Sequence, residues 1–143
     1  MSNFRQLTDS VFASPQITTQ DLAHAKELGV TLVVNNRPDG EDTSAPQSDE
    51  IESAARDAGM HYVAIPVSHA GFSLPQIDAM VEALRDADGK VLAYCRSGTR
   101  STLLWAMARA KLGDEPDAIA EAAMRAGYDV SPVRPTMDML AAS

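Results

Sequence analysis

Short apolar runs rich in β-branched residues alternate with helix-forming stretches along most of this chain. That alternation restricts the fold more than any other feature. "SVFAS", Ser10 to Ser14, reads as the first extended piece, and Val30 to Val34 as a buried strand. "HYVAIPV", from His61, and "KVLAY", ending at Tyr94, are the next two. Between them lie stretches with helix start and stop signals. Thr18 or Thr19 caps a helix that begins near Gln20, carries Leu22, Ala25 and Leu28 on one face, and stops at Gly29. Ser48 caps a second, from about Asp49 to Ala58, ended by Gly59. Ser73-Leu74-Pro75-Gln76 forms a capping box with proline in the first turn, opening a third helix that runs to about Ala87. A fourth spans Arg100 to Leu112; Asp114 caps a fifth that ends at Gly127, and "PTMDMLAAS" forms the last.

Strands and helices in this order specify an α/β fold in three layers, a mainly parallel sheet flanked by helices. Right-handed crossovers bring the C-terminal ends of the strands to one edge, where such sheets place their sites. Three loops then meet there: Asn35 to Asp42, Ser68 to Ser73, and Cys95 to Arg100. With no repeat or low-complexity segment, the chain is expected to form a single domain over residues 1–143.

The formal net charge of −8 argues against nucleic-acid and membrane-surface partners, both of which reward a basic face. No apolar stretch reaches the length of a membrane span, and "MSNFRQLTDSV" lacks the pattern of a signal peptide, so a cytoplasmic location is expected. One cysteine excludes an internal disulfide and any mechanism that needs two thiols in one chain. His, Asp and Glu show no metal-ligand spacing, and no metal or other cofactor is expected.

That single thiol, Cys95, lies in "AYCRSGTRS", between a strand and a helix. A thiol at such a turn faces successive backbone N–H groups and the positive end of the helix dipole, which favour the thiolate. Arg96 and Arg100 add positive charge, and Gly98 lets the backbone curl into an anion-cradling nest. Ser101 is positioned to give the sulfur a hydroxyl hydrogen bond. A buried structural cysteine has no use for Arg-Ser-Gly-Thr-Arg beside it. Cys95, Arg100 and Ser101 are therefore the expected catalytic set, with Arg96, Ser97, Gly98, Thr99 and Arg37 as anion ligands.

"CRSGTRS" resembles the active loop of rhodanese-type sulfurtransferases, with four residues between Cys95 and Arg100. Protein tyrosine phosphatases space the same pair one residue further apart. The order "GVTLVVNNRPDGE", "AGMHYVAIPV", "KVLAYCRSGTRSTLLWAMA" resembles the phosphatase-like domain of the beta-lactamase hydrolase-like proteins, from about Gln6 to Ala110. That resemblance implies a dual-specificity-phosphatase-like fold, and some members join this domain to a persulfide-handling metallo-hydrolase domain. The dual-specificity phosphatases carry an Asp general acid ahead of the cysteine; at the matching place this chain has Ser68 and His69.

Two chemistries follow. In the first, favoured by the loop count and the missing Asp, Cys95 takes sulfur from thiosulfate or a small persulfide and passes it to a thiol or cyanide. In the alternative, Cys95 attacks a phosphate ester, with His69 or Asp39 as proton donor. A non-catalytic docking module that has kept the loop is a third reading. Asp39 and Glu41 are placed to orient an arginine of the cysteine loop by a bidentate pair. Trp105, Met107 and the C-terminal methionines read as core, and an exposed methionine patch would suit a homodimer.

Overall fold

The computed structural model describes residues 3–68 and 70–142. Five strands form one sheet: β1 (Arg5–Thr8), β2 (Val11–Ser14), β3 (Val30–Asn35), β4 (His61–Ala64) and β5 (Lys90–Tyr94), in the spatial order β1-β2-β5-β3-β4. β2, β5, β3 and β4 run parallel, and β1 folds back antiparallel on β2 through a turn at Asp9. Six helices cover it: α1 (Asp21–Glu27), α2 (Ser48–Asp57), α3 (Leu74–Asp86), α4 (Thr99–Lys111), α5 (Pro116–Arg125) and α6 (Arg134–Ala142). This is the expected mainly parallel sheet between helical layers.

Side chains alternate across the strands, so one sheet feeds two cores. Val91 and Ala93 of β5, with Val11, Ala13, Leu32 and Val34, pack against α3 to α6. Leu92 and Tyr94 of β5, with Phe12 and Val33, meet Leu22 and Ala25 of α1 and Ile51 and Ala55 of α2. α4 is buried on nearly every side, from Ser101 through Ala108, because α3, α5 and α6 enclose it against the sheet. Trp105, Met107 and Met137 lie in the core as expected, whereas Met124 and Met139 are exposed.

Some boundaries differ from the sequence expectation. β4 stops at Ala64, two residues before Pro66, which cannot donate to a ladder. Ser48 lies inside the first turn of α2 rather than before it. Asp114 leaves the capping of α5 to Glu115 and instead accepts two hydrogen bonds from Arg109, at 2.7 and 3.0 Å. The capping box of α3 is as read: the Gln76 side chain accepts the Ser73 N–H at 2.8 Å.

Leu92 is fully buried at the middle of the central strand. Leu92→Ala is expected to cost about 3 kcal/mol of unfolding free energy, read as a lower urea midpoint with an unchanged m-value.

Candidate active site

β5 ends at Tyr94 and α4 begins at Thr99, so Cys95 to Gly98 forms the turn between them. The turn is possible because Gly98 adopts φ +91°, the left-handed region that penalises a Cβ. A Cβ there would also collide with the Tyr128 hydroxyl and press against the Ser14 carbonyl carbon at 3.3 Å. With this turn made, the Gly98 N–H donates to Cys95 Sγ at 3.1 Å. Cys95 is wholly buried, held through its own N–H by the Ser14 carbonyl at 3.3 Å. The sulfur thus sits at the N-terminal end of a 13-residue helix, facing a backbone N–H.

Arg100 closes the loop on the other side. Its Nη1 and Nη2 donate to Glu41 Oε2 and Oε1 at 2.8 and 2.7 Å, and Nη1 also donates to the Val67 carbonyl at 2.7 Å. Those bonds use three of the five guanidinium N–H donors and leave the fork made by Nε and Nη2. The hydrogen-bonded Glu41 carboxylate holds Arg100 above its ordinary range, and the nearby Cys95 thiol pushes the same way.

Glu41 is itself gripped twice. Arg37 Nε donates to Oε1 at 2.8 Å, so one carboxylate joins two arginines. The Glu41 carboxyl is lowered to about 2, first by the Arg100 hydrogen bond and then, against the opposing effect of burial, by Arg37. Of the two carboxylates expected to orient the loop arginine, Glu41 does so. Asp39 does not: its two oxygens accept the Ser48 N–H at 2.9 Å and the Ser48 hydroxyl at 2.7 Å, tying it to the start of α2. Asp39 is therefore tied to α2 and does not orient Arg100, which corrects that role.

Arg37 also takes a different place from the one expected. Beyond Glu41 it donates to Gln16 Oε1 at 2.9 Å and lies 3.9 Å from Asp42 Oδ2, with its side chain 9% exposed. It braces Glu41 rather than reaching for a substrate. Ser101 is a third correction. Its one hydroxyl proton goes to Asn36 Oδ1 at 2.8 Å, so it does not bond the sulfur. Arg96, Ser97 and Thr99 are exposed on the rim, where Ser97 Oγ donates to Thr99 Oγ1 at 3.0 Å. His69 lies outside the described residues.

Asn36 is a site residue that the sequence pattern did not single out. It is fully buried, so each of its polar groups needs a partner. Its N–H bonds Tyr94 O at 2.8 Å, its Nδ2 bonds Ile65 O at 2.9 Å, its carbonyl accepts from Val67 N at 2.9 Å, and Oδ1 accepts from Ser101. This one residue, through backbone and side chain together, thereby locks β3, β5, the segment after β4, and α4 into a common edge. A polar residue closing an otherwise apolar strand run was the available signal.

The profile of the family described as "Beta-lactamase hydrolase-like protein, phosphatase-like domain" matches residues 3–112. The chain belongs to this family. It is 32% identical over 120 residues to the beta-lactamase hydrolase-like protein of Xylella fastidiosa strain Temecula1, covering 81% of this chain and 28% of that one. With the protein of that name from Agrobacterium fabrum strain C58 it shares 38% identity over 90 residues, 63% of this chain and 21% of the other. The chain therefore spans less than a third of the length of these curated relatives. Among solved structures, a candidate phosphatase from Neisseria meningitidis Z2491 superposes with TM-score 0.81 at 31% identity, covering 95% and 96% of the two chains. Another from Shewanella putrefaciens CN-32 gives TM-score 0.77 at 22% identity, covering 99% and 93%, and so shares the fold. The family match and the phosphatase-like fold are as the sequence implied, and the neighbours favour the phosphatase alternative over sulfur transfer.

Because Glu41 is held near 2 in the folded chain against an ordinary 4.5, its contribution to stability is full above about pH 4.5 and is lost as pH falls through 2. Glu41→Gln should lower the denaturant midpoint at pH 7, with the gap to wild type closing toward pH 2; chemical unfolding at pH 7, 4 and 2 measures it.

Proposed function

We propose that this chain is a cysteine-dependent phosphatase acting on aryl phosphate monoesters. The observation that carries the reading is Arg100. Glu41 fixes its end-on fork, so the fork formed by Nε and Nη2 is left beside the thiol for an oxyanion. In the reaction, Cys95 thiolate attacks phosphorus, the P–O bond to the aryl group breaks, and the electron pair leaves with the phenolate. Water then displaces the sulfur, releasing inorganic phosphate and restoring the thiolate. The remaining Arg100 donors meet the charge on the equatorial oxygens, while the Gly98 N–H faces the sulfur.

The restriction to aryl esters follows from the carboxylates. Glu41 is held ionised by two arginines and Asp39 is spent on Ser48. Ionised Glu41 cannot protonate a leaving alkoxide, and Asp39 is bonded away from Arg100, whereas a phenolate departs with less help. The sequence offers His69 as the donor for that step.

Sulfur transfer is the second reading, favoured by the four-residue spacing of Cys95 and Arg100 and by sulfite leaving unprotonated. Its donor would be thiosulfate or a small persulfide, and its acceptor a thiol.

Steady-state assays with an aryl phosphate and with thiosulfate plus cyanide separate the two. Aryl phosphate turnover is expected, lost in Cys95→Ser. Arg100→Lys should reduce kcat/KM by about 10²-fold or more, since a single ammonium cannot replace the fork. Faster thiosulfate turnover than aryl phosphate turnover would reverse the assignment.

A further inference from the structure

We infer that Tyr128 is a positioning residue for the Cys95 loop: its hydroxyl fixes the peptide plane whose N–H faces the sulfur. This rests on Cys95 being the nucleophile. Tyr128 lies beyond residues 3–112, the part matched by the family profile, so nothing in the shared family core assigns it a role.

The Ser97–Gly98 peptide is one rigid trans plane, with the Ser97 carbonyl and the Gly98 N–H on opposite edges. The N–H edge donates to Cys95 Sγ at 3.1 Å. The carbonyl edge accepts from the Tyr128 hydroxyl at 3.2 Å. Rotating this plane would break both bonds and turn a carbonyl dipole toward the thiolate. A glycine at φ +91° flips such a plane readily, so an external clamp on the carbonyl has something to prevent. Donation to the carbonyl also polarises the amide and strengthens its N–H as a donor.

The tyrosine is delivered by its own local structure. α5 ends with Gly127 at φ +93°, and the two bonds of a helix-terminating Schellman motif follow: Gly127 N to Met124 O at 2.9 Å and Tyr128 N to Ala123 O at 2.9 Å. Arg5 of β1 lies 5.7 Å over the ring and donates to Ala126 O at 3.0 Å, holding the ring from the opposite side. Burial pushes the phenol up, Arg5 opposes this, and Cys95 adds to the rise, so the hydroxyl keeps its proton to donate. Arg100 and Tyr128 are both in electrostatic contact with Cys95, and Arg96 is its neighbour in the chain.

The rate of Cys95 alkylation by iodoacetamide against pH, followed by intact mass, tests this without reference to which group the enzyme transfers. Tyr128→Phe keeps the ring and its contact with Arg5 but loses the hydroxyl. Its curve should move to higher pH by about half a unit, as expected for loss of a modest indirect hydrogen bond. Curves that coincide with wild type overturn the inference. Should the phenylalanine variant fail to fold, 3,5-difluorotyrosine at 128 keeps the shape and loses its phenolic proton at a lower pH than tyrosine does there. An alkylation curve displaced only above that ionisation supports the clamp, and an undisplaced one refutes it. Because alkylation needs no substrate, an absent aryl phosphate activity would count against the proposed reaction and leave this measurement standing.

Discussion

The Glu41–Arg100 pair is the contact on which the site depends. It joins the loop after β3 to the first turn of α4, elements brought together only by the sheet order β5-β3. Arginine alone at a helix N-terminus would be a flexible cation repelled by the dipole. A bidentate carboxylate on one side and the Val67 carbonyl on the other give it one orientation. Arg37 in turn keeps Glu41 from following an incoming anion, because the carboxylate would have to leave two cations at once. Side chains 20% exposed on both partners place the pair at the mouth of the site, where the loss of solvent strengthens it without the full cost of a buried charge.

Beneath that pair, the backbone N–H of Gly98 faces the sulfur. The left-handed turn at Gly98, the Asn36 network and the helix terminus are consequences of strand β5 passing directly into helix α4 with no room for a longer connection. Tyr128 and Ser14 lie close against Gly98, so the loop is braced from outside as well as closed from within. The two chemistries considered differ in what leaves, and share this cradle.

Much of the architecture was legible because the sheet is nearly all parallel. Its strands are continuous apolar runs, and helices bounded by Ser73, Gly29 and Gly127 fall between them. β1 was not legible: of "RQLT" only Leu7 is buried, and one buried residue has no period to read. Within the site, Cys95, Gly98 and Arg100 stood out by spacing, and Glu41 by its place in the facing loop. The roles of Ser101, Asp39 and Arg37 did not, since each hydrogen bond goes to a residue distant in sequence: Asn36, Ser48 and Gln16. Tyr128 was invisible for the same reason, being 31 positions from the carbonyl it holds.

The proposed reaction passes through a covalent bond between Cys95 and phosphorus. Intact-mass spectrometry of the chain, quenched in acid during the first turnover of an aryl phosphate, reads that bond. A phosphoryl adduct on wild type that is absent from Cys95→Ser is the predicted result. An unmodified chain under those conditions, together with the gain of one sulfur from thiosulfate, would contradict phosphoryl transfer and assign the cradle to persulfide chemistry.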